Sequence, residues 1–391
     1  MVLLVAVAGL LLLRSSQTPA GQSSGGVFGF GTSVSNVQTT GGGLTNVVQN
    51  GAISGQKVFK IASGPVAGAT FIQTFAPTTT VARYVMQDNG HVLDLAIDVP
   101  GAAAKPASNT TIPGVVSAVW GKNGTSTVLQ YTENTTLKSV YIAFAPATTT
   151  GVVSPAHIQF LPNNITSLAM SPDGASVAYL LPTSAGTDGY VAKADGTNAR
   201  RLFSVPLSQV TLSWPEQNSL LVQTKGAIGV PGIALYVNVK TSGVSPLLYT
   251  SGLSAIANSV FSKVIYQSSP TKTSATTYAH DVATGKDTPL ANNPLPEKCA
   301  WSVTSLSDIY CALSLDATAA NYLDLWHQGL IQNADSIVKL DANTGIGTVI
   351  TLPGDGGVSA PIDQIGVSFD GKYLYFITRG DHSLWGVRLT Q

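Results

Sequence analysis

The sequence predicts an all-β fold: a seven-bladed β-propeller of four-stranded antiparallel blades, closed by an N-terminal strand and preceded by an N-terminal hydrophobic anchor. Three observations predict it. Short apolar runs separated by tight turns recur about every 45 residues, the spacing of a propeller blade. Hydrophobic residues make up 44% of the 391 and charged residues only 10%, against roughly 25% charged in an ordinary soluble domain. Ser, Thr, Asn and Gly fill the difference, and Thr and Val suit a pleated, half-buried sheet.

The clearest unit runs from Leu168 to Leu180. An apolar run meets Ser171-Pro172-Asp173-Gly174 and a second apolar run follows. Pro presets one turn dihedral and Gly accepts a positive φ, so these two runs are antiparallel neighbours. Gly189-Tyr190-Val191-Ala192-Lys193, the turn at Asp195-Gly196, and Arg200-Arg201-Leu202-Phe203 complete four strands. The unit returns at the end of the chain as Ile365 to Phe376 around Ser368-Phe369-Asp370-Gly371, then Leu384 to Leu389. Looser copies begin at Ala118, Leu212, Val260 and Ala300. The first copy shows Ala82 to Met86 and His91 to Leu95 around Asn89-Gly90, the strongest short hairpin signal.

Counting gives seven units, the last with three strands before Gln391. A ring must close or leave an exposed sheet edge. The segment Gln56 to Ala62 reads as a strand with no partners ahead of it. It is expected to complete the last blade, with Val58 to Ile61 beside Leu384 to Leu389. No helix is expected after the anchor.

The start of the chain has a different character. Residues 2–13 are uninterruptedly apolar and Arg14 follows. The run is shorter than the roughly 20 residues of a membrane-spanning helix. It reads either as the apolar part of a signal peptide, lacking a basic leader and a clear cleavage site, or as the second half of an anchor whose beginning precedes Met1. Both readings carry the rest across a membrane, so an extracytoplasmic, membrane-anchored location is expected. Residues 15–55 form a Ser/Thr/Gly-rich linker too polar to bury a core, and residues 56–391 form the propeller. Gly21-Gln22-Ser23-Ser24-Gly25 matches a nucleophile-elbow pattern but lacks the strand and helix that pattern requires.

The repeat with Ser171-Pro172-Asp173-Gly174 between strands resembles the WD40-like repeat of TolB-type propellers, over about residues 56–391. Ala82-Arg83-Tyr84-Val85 with Gly90-His91, and Lys298-Cys299-Ala300-Trp301-Ser302 with Ile309-Tyr310-Cys311, resemble a subgroup of anchored envelope proteins of small-genome bacteria. The TolB resemblance implies a periplasmic or surface scaffold that binds protein. No stretch of this sequence is expected to match TolB's separate N-terminal domain.

Chemistry-bearing residues are sparse. Formal net charge is zero and no basic cluster appears, which argues against a nucleic-acid partner. The five histidines, His91, His157, His280, His327 and His382, are scattered, with His91 and His280 inside expected strands; none is spaced for a metal. No cofactor is expected. Asp173, Asp195, Asp281, Asp341 and Asp370 sit in turns, where a carboxylate bonds its own backbone. The sequons at Asn109, Asn123, Asn134 and Asn164 fit a Thr/Asn-rich background. Cys299 and Cys311 are the only cysteines. Aligning the sixth unit on the third sets Cys299 opposite Cys311 and Trp301 opposite Ile309. The cysteines then form a disulfide, as an oxidising compartment allows, or remain reduced core thiols.

The sixth unit carries an insertion, residues 315–335, after its second strand. Its Tyr322, Asp324, Trp326 and His327 are the candidate binding residues. Exposed aromatics there would make a binding hot spot; alternatively Trp326 packs on the blade below and the loop covers an edge. The expected function is a non-enzymatic, monomeric extracytoplasmic scaffold that binds a protein or an envelope polymer. A propeller hydrolase or lyase with its site at the central channel, and a structural surface protein, are the alternatives.

Overall fold

The computed structural model describes residues 55–75, 78–108, 110–144, 157–314 and 320–389. The hydrophobic segment at 1–14, the linker up to residue 54, the elbow-like pattern and Asn109 lie outside the described residues. No helix among the described residues is long and apolar enough to cross a membrane.

Seven four-stranded antiparallel sheets follow one another around a ring. Blade 1 holds β2 (Val66–Phe75), β3 (Thr78–Met86), β4 (Val92–Ala96) and β5 (Lys105–Ser108). Blade 2 holds β6 (Val115–Trp120), β7 (Ser126–Glu133), β8 (Thr136–Ala143) and β9 (His157–Phe160). Blade 3 holds β10 (Ser167–Met170), β11 (Ser176–Thr183), β12 (Gly186–Lys193) and β13 (Arg200–Val205). Blade 4 holds β14 (Val210–Glu216), β15 (Ser219–Thr224), β16 (Pro231–Asn238) and β17 (Val244–Ser251). Blade 5 holds β18 (Ser254–Ala257), β19 (Lys263–Thr271), β20 (Ser274–Asp281) and β21 (Asp287–Pro289). Blade 6 holds β22 (Cys299–Trp301), β23 (Asp308–Ser314), β24 (Asp335–Asp341) and β25 (Gly347–Thr351). Blade 7 takes β26 (Ile362–Val367), β27 (Tyr373–Thr378) and β28 (Leu384–Arg388) from the end of the chain and β1 (Val58–Ala62) from its beginning.

The closure is the one the sequence predicts. In β1 against β28, Val58 faces Val387, Phe59 faces Gly386 and Lys60 faces Trp385. Val58, Phe59 and Ile61 are almost fully buried, and burying each such side chain contributes about 1.5–3 kcal/mol. Gly386 is required because a Cβ there would meet the Phe59 ring at 2.4 Å. Phe59 thus covers the strand backbone where blade 7 has no side chain of its own.

The turns explain the sequence unit atom by atom. In blade 3, Ser171 Oγ donates to Asp173 Oδ1 at 2.6 Å. The amides of Ala175 and Ser176 donate to Asp173 Oδ1 and Ser171 Oγ, each at 2.9 Å. Blade 7 repeats this wiring through Ser368, Asp370, Lys372 and Tyr373. Gly174 and Gly371 hold φ of 74° and 68°, a region open to Gly at little cost. Asp195, Asp281 and Asp341 likewise accept amides of their own turns.

A second recurrent device escapes notice in the sequence. The second strands of blades 2, 4 and 5 place Gln130, Gln223 and Gln267 at equivalent positions. Each amide nitrogen reaches the carbonyl of a residue leading to or within the next blade: Ile165, Ala255 and Asn293, at 3.0, 2.8 and 3.4 Å. The blades are therefore joined by hydrogen bonds as well as by apolar packing.

Cys299 and Cys311 are directly opposed across β22 and β23, as are Trp301 and Ile309, and the two cysteines are bonded. Two expectations are corrected. Tyr322–His327 is a short α-helix, α1, where no helix was expected. Six residues carry too little periodicity to announce it. His91 precedes β4 rather than lying in it, because its amide caps the turn through Asn89 Oδ1.

Candidate functional site

Connections from second to third strands, and from one blade to the next, share one face of the ring, the upper face below. The sixth-blade insertion lies there. Helical spacing puts Leu323 and Trp326 on one side of α1, and they are 2% and 4% exposed. They form a small separate core with Leu295 and Ile331, against which Ile228 of blade 4 packs.

The described part of the insertion is tied to four blades. Asp324 Oδ1 accepts the Ile228 amide of blade 4 at 3.1 Å. The Asn321 amide donates to the Lys272 carbonyl of blade 5 at 3.0 Å. His327 Nε2 lies 2.9 and 3.0 Å from the two Glu297 carboxylate oxygens, ahead of blade 6. Two cations contact the Trp326 ring, Lys298 Nζ 4.4 Å from its centroid and the Arg379 guanidinium of blade 7 at 3.9 Å. The structure thus brings Tyr322, Asp324, Trp326 and His327 together on one helix but presents no exposed Trp. Of the two readings of the insertion, Trp326 packing down is the one observed.

Beneath the helix lies a group that the sequence did not single out. Lys298 and Asp335 side chains are completely buried, with Nζ 2.7 Å from both carboxylate oxygens. Lys298 also donates to Tyr322 Oη at 3.0 Å, and the Ile362 amide of blade 7 donates to Asp335 Oδ2 at 2.6 Å. Burial pushes the Lys298 amine down and the Asp335 carboxyl up, each opposed by attraction to the other. Burial likewise pushes the Tyr322 hydroxyl up. The pair is sealed from solvent, so it locks the approach to blade 6, the strand after the insertion, the helix and blade 7 to one another.

A cavity of about 550 Å³ opens beside the helix between blades 5 and 6. Its origin is legible in the alternation of the strands. On blade 6 one face of β24 reads Leu340, Val338, Ser336 toward the upper side; on blade 5 the matching face of β19 reads Ile265, Gln267, Ser269. The lower end is apolar and packed. The upper end carries small polar side chains that cannot fill the gap.

Gln267 and Ser269 are buried and satisfy each other, Ser269 Oγ donating to Gln267 Oε1 at 3.2 Å. Ser336 is 2% exposed and its Oγ has no partner. Thr271, Thr273, Asn292, Asn293 and Tyr322 add further hydroxyls and amides, and Leu313, Leu323, Val338 and Leu352 add aliphatic surface. Lys272 is the one charged residue among the described lining residues. Among the described residues no three His, Cys, Asp or Glu side chains group as metal ligands would.

No family model matches the chain, and no curated protein matches it. Solved structures do. An oligogalacturonate lyase in complex with manganese is 10% identical, covering 85% of this chain and 99% of that one, with a TM-score of 0.54. The WD40 domain of Pan2 from Neurospora crassa is 8% identical, covering 89% and 98%, with a TM-score of 0.52. TolB from Acinetobacter baumannii is 12% identical with a TM-score of 0.46; the match covers 77% of this chain and 66% of TolB's length. At such identities the likeness speaks for fold alone, and the chain is, in fold, a seven-bladed β-propeller like those of these structures.

Proposed function

We propose that this protein is a non-enzymatic, monomeric binding scaffold outside the cytoplasm, engaging a protein or an envelope polymer through its upper face. The observation that carries the proposal is the cavity between blades 5 and 6. Its volume of about 550 Å³ falls within the roughly 300–1,000 Å³ of small-molecule sites. It joins convergent hydroxyl and amide groups to an aliphatic floor. Its described lining residues include no His, Cys, Asp or Glu, and proton transfer most often uses His or a carboxylate. The pinned insertion supports the proposal by fixing the Tyr322 and Leu323 wall. The Cys299–Cys311 disulfide supports an oxidising compartment.

The test is co-sedimentation of the detergent-solubilised full chain with isolated envelope fragments. Retention of the wild type and weakened retention of Ser336→Leu, which extends an aliphatic side chain into the cavity, are expected. Absence of retention would remove the proposal, and retention untouched by Ser336→Leu would remove the cavity from it.

A further inference from the structure

We infer that the cavity between blades 5 and 6 is a saccharide site, taking a short neutral segment of a polymer. The inference rests on the binding function proposed above and specifies its ligand. Four observations lead to it.

The first is the state of Ser336. Its hydroxyl is 2% exposed, lies on the cavity wall, and has no partner. A buried polar group without a partner costs about 1–3 kcal/mol, so a group at such a position implies something that satisfies it. A hydroxyl both donates and accepts, which matches another hydroxyl better than it matches an ion.

The second is charge. Lys272 is the one charged residue among the described lining residues, and it sits on an exposed turn. Among the described lining residues there is no carboxylate, the usual anchor of a cation. A lone exposed ammonium is a poor match for a phosphate, which favours Arg clusters and bidentate contacts. A neutral ligand remains.

The third is the combination of hydroxyls and amides with aliphatic carbon. Thr271, Thr273, Asn292 and Asn293 line the cavity together with Leu313, Val338 and Leu352. A sugar ring presents hydroxyls at its edge and C–H groups on its faces. Such a wall meets both.

The fourth separates a saccharide from a peptide. An extended peptide binds most simply by adding to a free strand edge. Of the strands bordering the cavity, β19, β20, β23 and β24 are middle strands already paired on both sides, and only β25, which contributes Val349, is an outer strand. Most of the wall therefore offers side chains, not a backbone ladder.

The test uses the full chain and isothermal titration with chitotriose, maltotriose, cellotriose and mannotriose, with trialanine and inorganic phosphate as the competing classes. At least one oligosaccharide should bind, and Ser336→Leu should weaken it by about tenfold or more, the equivalent of one lost buried polar contact. Thr273→Val, at an exposed turn position with no packing role, should weaken the same oligosaccharide and guards against misfolding of the first variant. The inference is overturned if none of the four binds, if trialanine or phosphate binds in their place, or if both variants bind like the wild type. Retention on envelope fragments without oligosaccharide binding would remove the ligand class and leave the binding function. Loss of both would remove both.

Discussion

Removing one partner of the Lys298–Asp335 pair should destabilise this protein more than most single substitutions, and removing both should not. Lys298→Met keeps the length of the stem and deletes the ammonium. Asp335 is then a fully buried carboxylate left with the Ile362 amide as its donor. Breaking a buried ion pair in this way costs about 3–5 kcal/mol, because the remaining charge is uncompensated. The contact of Nζ with the Trp326 ring at 4.4 Å adds about 0.5–2 kcal/mol. Lys298→Met with Asp335→Leu removes both charges and leaves apolar groups of similar volume, a change that is often neutral or stabilising. Urea unfolding followed by tryptophan fluorescence measures each variant, and the double-mutant cycle isolates the pair. A single-variant loss below about 1 kcal/mol would show that solvent reaches the pair. A double variant as unstable as the two singles summed would show that the charges act independently, and either result would refute the lock.

Reducing the Cys299–Cys311 bridge, or replacing both residues by Ala, should cost about 3 kcal/mol for a short closed loop, read as a lower urea midpoint. Phe59→Ala should cost about 3–5 kcal/mol and expose the Gly386 backbone that the ring covers, raising amide exchange in β28 before other strands. Trp326→Ala should destabilise by a similar amount and free α1 to limited proteolysis, because this ring anchors the insertion; unchanged proteolysis would count against the cap. Acid should weaken the turns: hydrogen bonds from Thr284 and Lys263 lower the Asp281 carboxyl to about 2, and those from Ser171 and Ala175 lower Asp173. Because the folded values lie below the unfolded value near 3.9, this stability is complete above about pH 4 and is lost as pH falls toward the folded values. Asp281→Asn should flatten the stability–pH slope in that window, and an unchanged slope would contradict the assignment.

The ring was legible because its signals repeat. Ser171 and Asp173, and again Ser368 and Asp370, are turn chemistry with one local solution, and strand pairing then fixes what lies opposite. That logic sets Cys299 against Cys311 and Val58 against blade 7 without any knowledge of the ring's interior. The site was less legible because its parts are singular. Trp326 could face water or core, and only the contacts with Lys298, Arg379 and Leu323 decide. A Lys is rarely fully buried, so Lys298 reads as surface until Asp335 is brought to it from beyond the insertion. The one available signal was Asp335 itself, a carboxylate just ahead of the apolar pair Ile337-Val338. Ser336 looks like any strand serine, and its meaning comes from the small residues across the gap.

Hydrogen–deuterium exchange across the full chain tests the closed ring most directly. Residues 58–62 should be protected as deeply as residues 373–378, the strand two places inward in the same blade, and should open together with residues 384–388. Exchange of residues 58–62 at the rate of an unstructured peptide while residues 373–378 stay protected would contradict the closure on which the upper face and its cavity depend.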